Sequence, residues 1–169
     1  MVSEKKAQVA IVMGSDSDLD VMKSCIGQLE VFDINPIVRI LSAHRTPEEA
    51  REFAQNAAAK GIKVIIAAAG MAAHLAGAMA AHSNLPVIGV PLDSGKGLGG
   101  MDALLSTVQM PPGVPVATMG IGKAGAKNAA IFAIKILALD DKLLCEKLEK
   151  FKIDQKKVVL DKDSALQKG

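Results

Sequence analysis

The chain has 169 residues, 50% of them hydrophobic, 22% charged and 2% aromatic, with a net charge of +2. This composition excludes simple disorder, and four Phe without Tyr or Trp leave stacking platforms for single-stranded nucleic acid nearly absent. So small a net charge suggests no polyanion partner, and two cysteines, Cys25 and Cys145, make neither a disulfide framework nor a metal cluster and fit a reduced, cytoplasmic setting.

The opening stretch, Met1 to Gln8, is polar and carries no secretory core. Val9–Met13 is a β-type run that ends at Gly14, and Leu19, Met22, Ile26 and Leu29 then recur at helical spacing. Pro36 to Leu41 reads as a second strand. Thr46, Pro47 and Glu49 predict a helix start, with Thr as N-cap, Pro at the first helical position and Glu three residues after the cap. That helix is expected to run to about Lys60 and stop at Gly61. Val64–Ala69 predicts the third strand and Met71–His82 the third helix. The uncharged run from Val64 to Leu92 is broken by Gly70, His74, Gly77, His82, Asn84 and Pro86, so no membrane span is expected. Pro86–Val90 predicts the fourth strand, and Asp93–Gly100 is a glycine-rich loop. A short helix over Asp102–Met110, a fifth strand over Val114–Ile121 and an Ala-rich helix over Ala124–Leu139 follow.

From Asp140 to Gly169 the character changes, with eight Lys against seven acidic residues. Leu143, Leu144, Leu148 and Phe151 predict an amphipathic terminal helix followed by a frayed end. The whole, 1–169, is expected to form a single domain, with a core over about 8–139 and a charged helical tail over about 140–169. Strands alternating with helices predict a three-layer α/β fold. Its five-stranded parallel sheet is covered on both faces and has the flavodoxin-like order 2-1-3-4-5.

In such a sheet, ligands sit beyond the carboxyl ends of the strands, where the strand order reverses. That rule selects four loops: Gly14–Asp18, Ser42–Arg45, Gly70–His74 and Pro91–Gly100. The first, Gly14-Ser15-Asp16-Ser17-Asp18, suits an anion or a polyol, or serves only to cap a helix. It lacks the dinucleotide fingerprint, so no nicotinamide cofactor is expected. The second sets His44, a side chain suited to proton transfer near neutral pH, beside Arg45, whose planar fork fits a phosphate. In the third, His74 opens a helix whose Ala73, Gly77 and Ala81 are small at every fourth position. His74 and His82 lie two turns apart with no ligand-type residue beside them, so no metal is expected. Gly122-Lys123-Ala124 lacks the hydroxyl and the upstream glycine of a phosphate loop, and no hydrolase elbow surrounds Ser15, Ser17 or Ser42.

MGSDSD (Met13–Asp18), SAHRTP (Ser42–Pro47), AAHL (Ala72–Leu75), LPVIGVP (Leu85–Pro91), VQMPPGVPVAT (Val108–Thr118) and GKAGAKNAA (Gly122–Ala130) occur in one order. Over about residues 8 to 140 this resembles the phosphoribosylaminoimidazole carboxylase catalytic subunit family, in its N5-carboxyaminoimidazole ribonucleotide mutase form. The common third loop of that family reads Gly-Gly followed by AAHLPG; here Met71 replaces a glycine and Ala76 a proline. The resemblance implies a step of de novo purine synthesis, in which a carboxylate moves from the N5 carbamate to C4 without ATP, biotin, metal or other cofactor. It implies proton handling by His44 and ribonucleotide binding by Ser15, Asp18 and Arg45, with Arg45 at the phosphate. Ser17, Ser42, Ala43, Gly70 and His74 on the same loops are the further substrate-binding candidates.

His44 alone is expected to serve both proton transfers, and Asp93–Gly100 and Met110–Gly113 are the candidates to close the site. The family also implies a homo-oligomer, an octamer with active sites at subunit junctions. A functional link to a separate carboxyaminoimidazole ribonucleotide synthetase is left open. Two alternatives stand beside the mutase: an aminoimidazole ribonucleotide carboxylase using free CO₂, and a non-catalytic nucleotide-binding module. His44 beside Arg45 argues against the last, since binding alone needs no acid–base group.

Overall fold

The computed structural model describes residues 7–168; the polar opening residues 1–6 and the terminal Gly169 lie outside the described residues. Five strands form one sheet: β1 Val9–Met13, β2 Ile37–Ile40, β3 Val64–Gly70, β4 Val87–Leu92 and β5 Ala117–Thr118. Their order is β2-β1-β3-β4-β5 and every pairing is parallel, as the alternating pattern predicts. Six α-helices accompany them among the described residues: α1 Leu19–Glu30, α2 Pro47–Asn56, α3 Leu75–His82, α4 Met101–Val108, α5 Gly122–Leu137 and α6 Lys142–Gln167. The chain groups into two compact units, one reaching Ala133 and the other beginning at Ile134.

In the first unit, strand alternation sorts the core. Ala10 and Val12 of β1 and Ile65 and Ala67 of β3 pack with Ala50, Phe53 and Ala54 of α2 and Leu75, Ala76 and Met79 of α3. The intervening Val9, Ile11, Met13, Val64, Ile66 and Ala68 point to the opposite face and are also buried. There α1 buries Met22, Cys25 and Leu29. Burial pushes the Cys25 thiol up to about 12, so it stays protonated at neutral pH. Lys123 in the first turn of α5 meets Asp20 in the first turn of α1 at 3.1 Å. β1 is buried at all five positions, whereas β2, at the sheet edge, is exposed at three of four.

Several boundaries differ from those read in the sequence, each for a local reason. The third helix begins at Leu75 rather than Met71, because Met71 has φ +55°, outside the right-handed helix. Residues 71–74 instead wind through two tight backbone bonds, Ala73 N–H to Met71 C=O at 2.9 Å and His74 N–H to Ala72 C=O at 2.8 Å. The fifth strand shrinks to Ala117–Thr118. Pro115 has no N–H for a ladder, and the Val114 amide turns back to Pro111 C=O at 3.2 Å. The second helix ends at Asn56 and passes through a short 3₁₀ turn, Ala58–Lys60, before Gly61 at φ +91°. In the second unit, α6 continues as helix through Gln167 where a frayed end was expected, with Leu144 and Leu148 buried on one side of it. No helix among the described residues is long and apolar enough to cross a membrane.

Candidate active site

The loops after β1, β2 and β3 converge on a cavity of about 480 Å³. From the first loop come Gly14, Ser15, Ser17 and Asp18, from the second Ser42, Ala43, His44 and Arg45, and from the third Ala69, Gly70, Met71, Ala72, His74 and Leu75. All nine candidate residues named from the sequence therefore lie on one cavity wall. Of the two stretches expected to close it, the glycine-rich loop contributes Ser94, while the Met110 side chain lies 3.2 Å from where a Cβ on Gly77 would sit. Part of the small-residue stripe on α3 is thus filled by the chain's own Met110; Ala81 remains exposed. His82 lies on a separate cavity with Asn84 and Gly113.

The second loop is held by its own hydroxyls. Thr46 Oγ1 accepts from the Ser42 N–H at 2.9 Å and donates to Ser42 C=O at 3.2 Å. This replaces the expected helix cap, since Thr46 makes no side-chain bond to the first turn of α2. Ser42 Oγ in turn accepts from the backbone N–H groups of His44 at 3.3 Å and Arg45 at 3.2 Å. Those bonds fix the loop backbone and leave both long side chains at its apex, exposed. Arg45 donates from a terminal guanidinium nitrogen to Gly14 C=O at 2.7 Å, tying the second loop to the first. A guanidinium has five N–H donors, so this bond leaves most of the fork for an anion.

In the first loop, Ser15 Oγ accepts from the Ser17 N–H at 3.4 Å, and the Asp18 carboxylate accepts from the Ser15 N–H at 3.0 Å. This reciprocal cap fixes the turn into α1. Burial raises the Asp18 carboxyl above its ordinary value, against the opposing pull of the Ser15 and Gly14 amides, the Ser17 hydroxyl and the Arg45 charge. An Asp with a raised native value destabilises the fold when ionised, and the penalty vanishes once both states are protonated. Asp18→Asn, which keeps an acceptor for the Ser15 amide, is therefore expected to be more stable than the parent at pH 7. That gain should fade as the pH falls below the ordinary Asp value of about 3.9. Thermal melts across this range check it; a gain independent of pH would contradict the burial argument.

The contact that sequence reasoning missed is between the two histidines. His44 Nε2 and His74 Nδ1 are 2.8 Å apart, with ring centroids at 4.9 Å and planes at 82°. The turn at Met71 brings His74 there, and Gly70 makes room for it: a Cβ at Gly70 would sit 3.1 Å from Leu92 C=O. No periodicity announces a left-handed Met, so only the departure of Met71 from the Gly-Gly pattern hinted at an unusual backbone. Among the described residues, no group of three or more His, Cys, Asp or Glu could hold a metal ion.

The fold and cavity define a doubly wound α/β protein with a paired histidine and an exposed arginine where the strand order reverses. Residues 8–158 match the family model described as AIR carboxylase, and the chain belongs to that family. A relative from Pyrococcus abyssi, named N5-carboxyaminoimidazole ribonucleotide mutase, is 53% identical over 157 residues, covering 93% of this chain and 88% of that protein. The Bacillus subtilis protein of the same name is 51% identical over 158 residues, covering 94% of this chain and 97% of its own. Among solved structures, Treponema denticola PurE superposes with a TM-score of 0.83 at 28% identity, covering 94% of this chain and 97% of that chain.

Proposed function

We propose that this chain is an N5-carboxyaminoimidazole ribonucleotide mutase, an isomerase that moves the carboxylate from the N5 carbamate to C4. The observation that carries the reading is His44 and Arg45 side by side on a hydroxyl-pinned loop at the cavity. Relatives of that name at about half identity support it. His44 donates a proton to the carbamate nitrogen as the N–CO₂ bond breaks, which leaves CO₂ and a neutral, electron-rich aminoimidazole. C4 then attacks the CO₂ carbon, and His44 takes back the proton that C4 sheds. Atoms and charge balance without a cofactor, and a general acid–base of this kind contributes on the order of 10²–10⁴-fold. Supplying the carbamate, then the free ribonucleotide with bicarbonate, tests the assignment. Turnover of the second alone would instead identify a CO₂-using carboxylase.

In this reading Arg45 and Ser15 hold the phosphate and Asp18 meets the sugar hydroxyls, with Ser17, Ser42, Ala43 and Gly70 lining the substrate. Arg45→Ala is expected to weaken ribonucleotide binding by roughly tenfold or more, the scale of a charge-assisted hydrogen bond. Binding of the phosphate-free nucleoside should change little. Titration calorimetry with both ligands checks this, and equal losses would remove the phosphate from Arg45.

The reading extends to a cytoplasmic homo-oligomer, an octamer, with 1–169 acting as one catalytic domain. Met101, Leu105 and Val108 support it as an apolar stripe at helical spacing on α4, each about half exposed. Ala81→Leu is expected to overpack a subunit contact by about 1–3 kcal/mol at each copy, so the assembly should dissociate while the monomer stays folded. Light scattering reads the outcome; a stable, active monomer of the parent chain would refute the assembly.

A further inference from the structure

We infer that His74 is the positioning residue of the proton-handling histidine: its Nδ1 accepts a hydrogen bond from the Nε2–H of His44, so His44 works through Nδ1. The inference rests on the mutase reading, in which His44 must carry a proton on each ring nitrogen just before it gives one away. A doubly protonated imidazole has two N–H donors and no lone pair. At the 2.8 Å contact, His44 Nε2 can then only donate and His74 Nδ1 can only accept. The bonded proton stays on Nε2 through the cycle, and the proton on Nδ1 is the one that leaves and returns. His74 necessarily carries its own proton on Nε2, so it acts on the reaction through His44 alone.

The arrangement is directional, because the rings meet edge-on at 82°. It is also held from both sides by backbone. The His44 amide is pinned to Ser42 Oγ at 3.3 Å, and the His74 amide to Ala72 C=O at 2.8 Å in the turn set by Met71. Both side chains are exposed, so packing does not orient the rings and the hydrogen bond must. A histidine held in one tautomer by a second group at its far nitrogen is a recurring device for proton transfer.

Two measurements test this. In ¹⁵N-histidine-labelled protein, with rings assigned through His44→Asn and His74→Asn, the bridging proton should be bonded to His44 Nε2 and coupled to His74 Nδ1. A proton bonded to His74 Nδ1, or no coupling between the rings, would overturn the inference whatever the enzyme's substrate. In kinetics, His74→Leu removes the acceptor and should lower kcat by about 10²-fold, within the range of general acid–base effects. KM for the carbamate should change by no more than about threefold. His74→Asn places Oδ1 where Nδ1 stood and should keep kcat within about tenfold of the parent. Equal losses in the Leu and Asn variants, or a loss confined to KM, would make His74 a packing or binding residue instead. Failure of the parent itself to turn over the carbamate would count against the mutase reading, and the ring coupling would still answer for the pair.

Discussion

His44→Asn should abolish turnover and leave the protein folded. The ring is exposed and contributes nothing to the core, and the bond that pins its backbone to Ser42 Oγ does not involve the imidazole. Removing it therefore removes chemistry without removing structure. Loss of a general acid–base group costs on the order of 10²–10⁴ in rate, and a group that serves two proton transfers stands at the upper end of that range. The neighbouring His74 does not replace it, because the turn at Met71 fixes where His74 begins α3. Steady-state assays beside a thermal melt decide the matter: an unchanged melt with activity within tenfold of the parent would take His44 out of the mechanism.

Gly125→Ala should be the most damaging small substitution in the first unit. The chain turns through Gly122 at φ +74° to start α5, and a Cβ on Gly125 would run into the backbone carbonyl of Gly120. A carbonyl in a turn cannot step aside as a flexible side chain can. The expected cost is about 3 kcal/mol, at the upper end of overpacking, and a melting temperature lower by roughly 10 °C for a chain of this size. Gly27 in α1 is the control, with nothing within 4 Å of a Cβ there. Gly27→Ala should be neutral or stabilising by about 0.5–1 kcal/mol. Melts that rank the two variants in the opposite order would show that the approach of α5 to Gly120 is not tight. The glycines of GKAGAKNAA, which superficially resemble a phosphate loop, thus serve a backbone crossing.

What was legible in the sequence, and what was not, divides along a physical line. Strand order and the site loops were legible because buried parallel strands are continuous apolar runs, and the reversal of strand order picks out the same loops whatever the ligand. The Gly14–Asp18 loop, His44 and Arg45 followed from that rule before any family likeness entered; Ser15 and Asp18 were singled out within their loop only by the likeness. Boundaries that depend on single backbone torsions were not legible. Met71 sits in an apolar run that reads as helix, and nothing in its residue type favours φ +55°. The His44–His74 contact depends on that torsion and stayed hidden with it. Thr46 looked like a helix cap because Pro and Glu follow at the right spacing. Its hydroxyl instead closes the loop that carries the histidine, a choice between two nearby backbone N–H donors that spacing cannot rank. The Pro115 break in β5 was visible in the residues and was outweighed by the β-branched valines around it.

The two walls of the cavity hang from strands of unequal tenacity. The loop with Ser15 and Asp18 leaves β1, whose five residues are fully enclosed; the loop with His44 and Arg45 leaves β2, the edge strand of the sheet, where Ile40 is 52% exposed. Local opening is cheapest where little apolar surface must be uncovered. On warming, the arm with His44 and Arg45 is therefore expected to come loose while the turn of Ser15 and Asp18 still stands. In the proposed mutase, proton handling and the arginine's grip on the phosphate would then be lost together, while the opposite wall of the cavity is still folded.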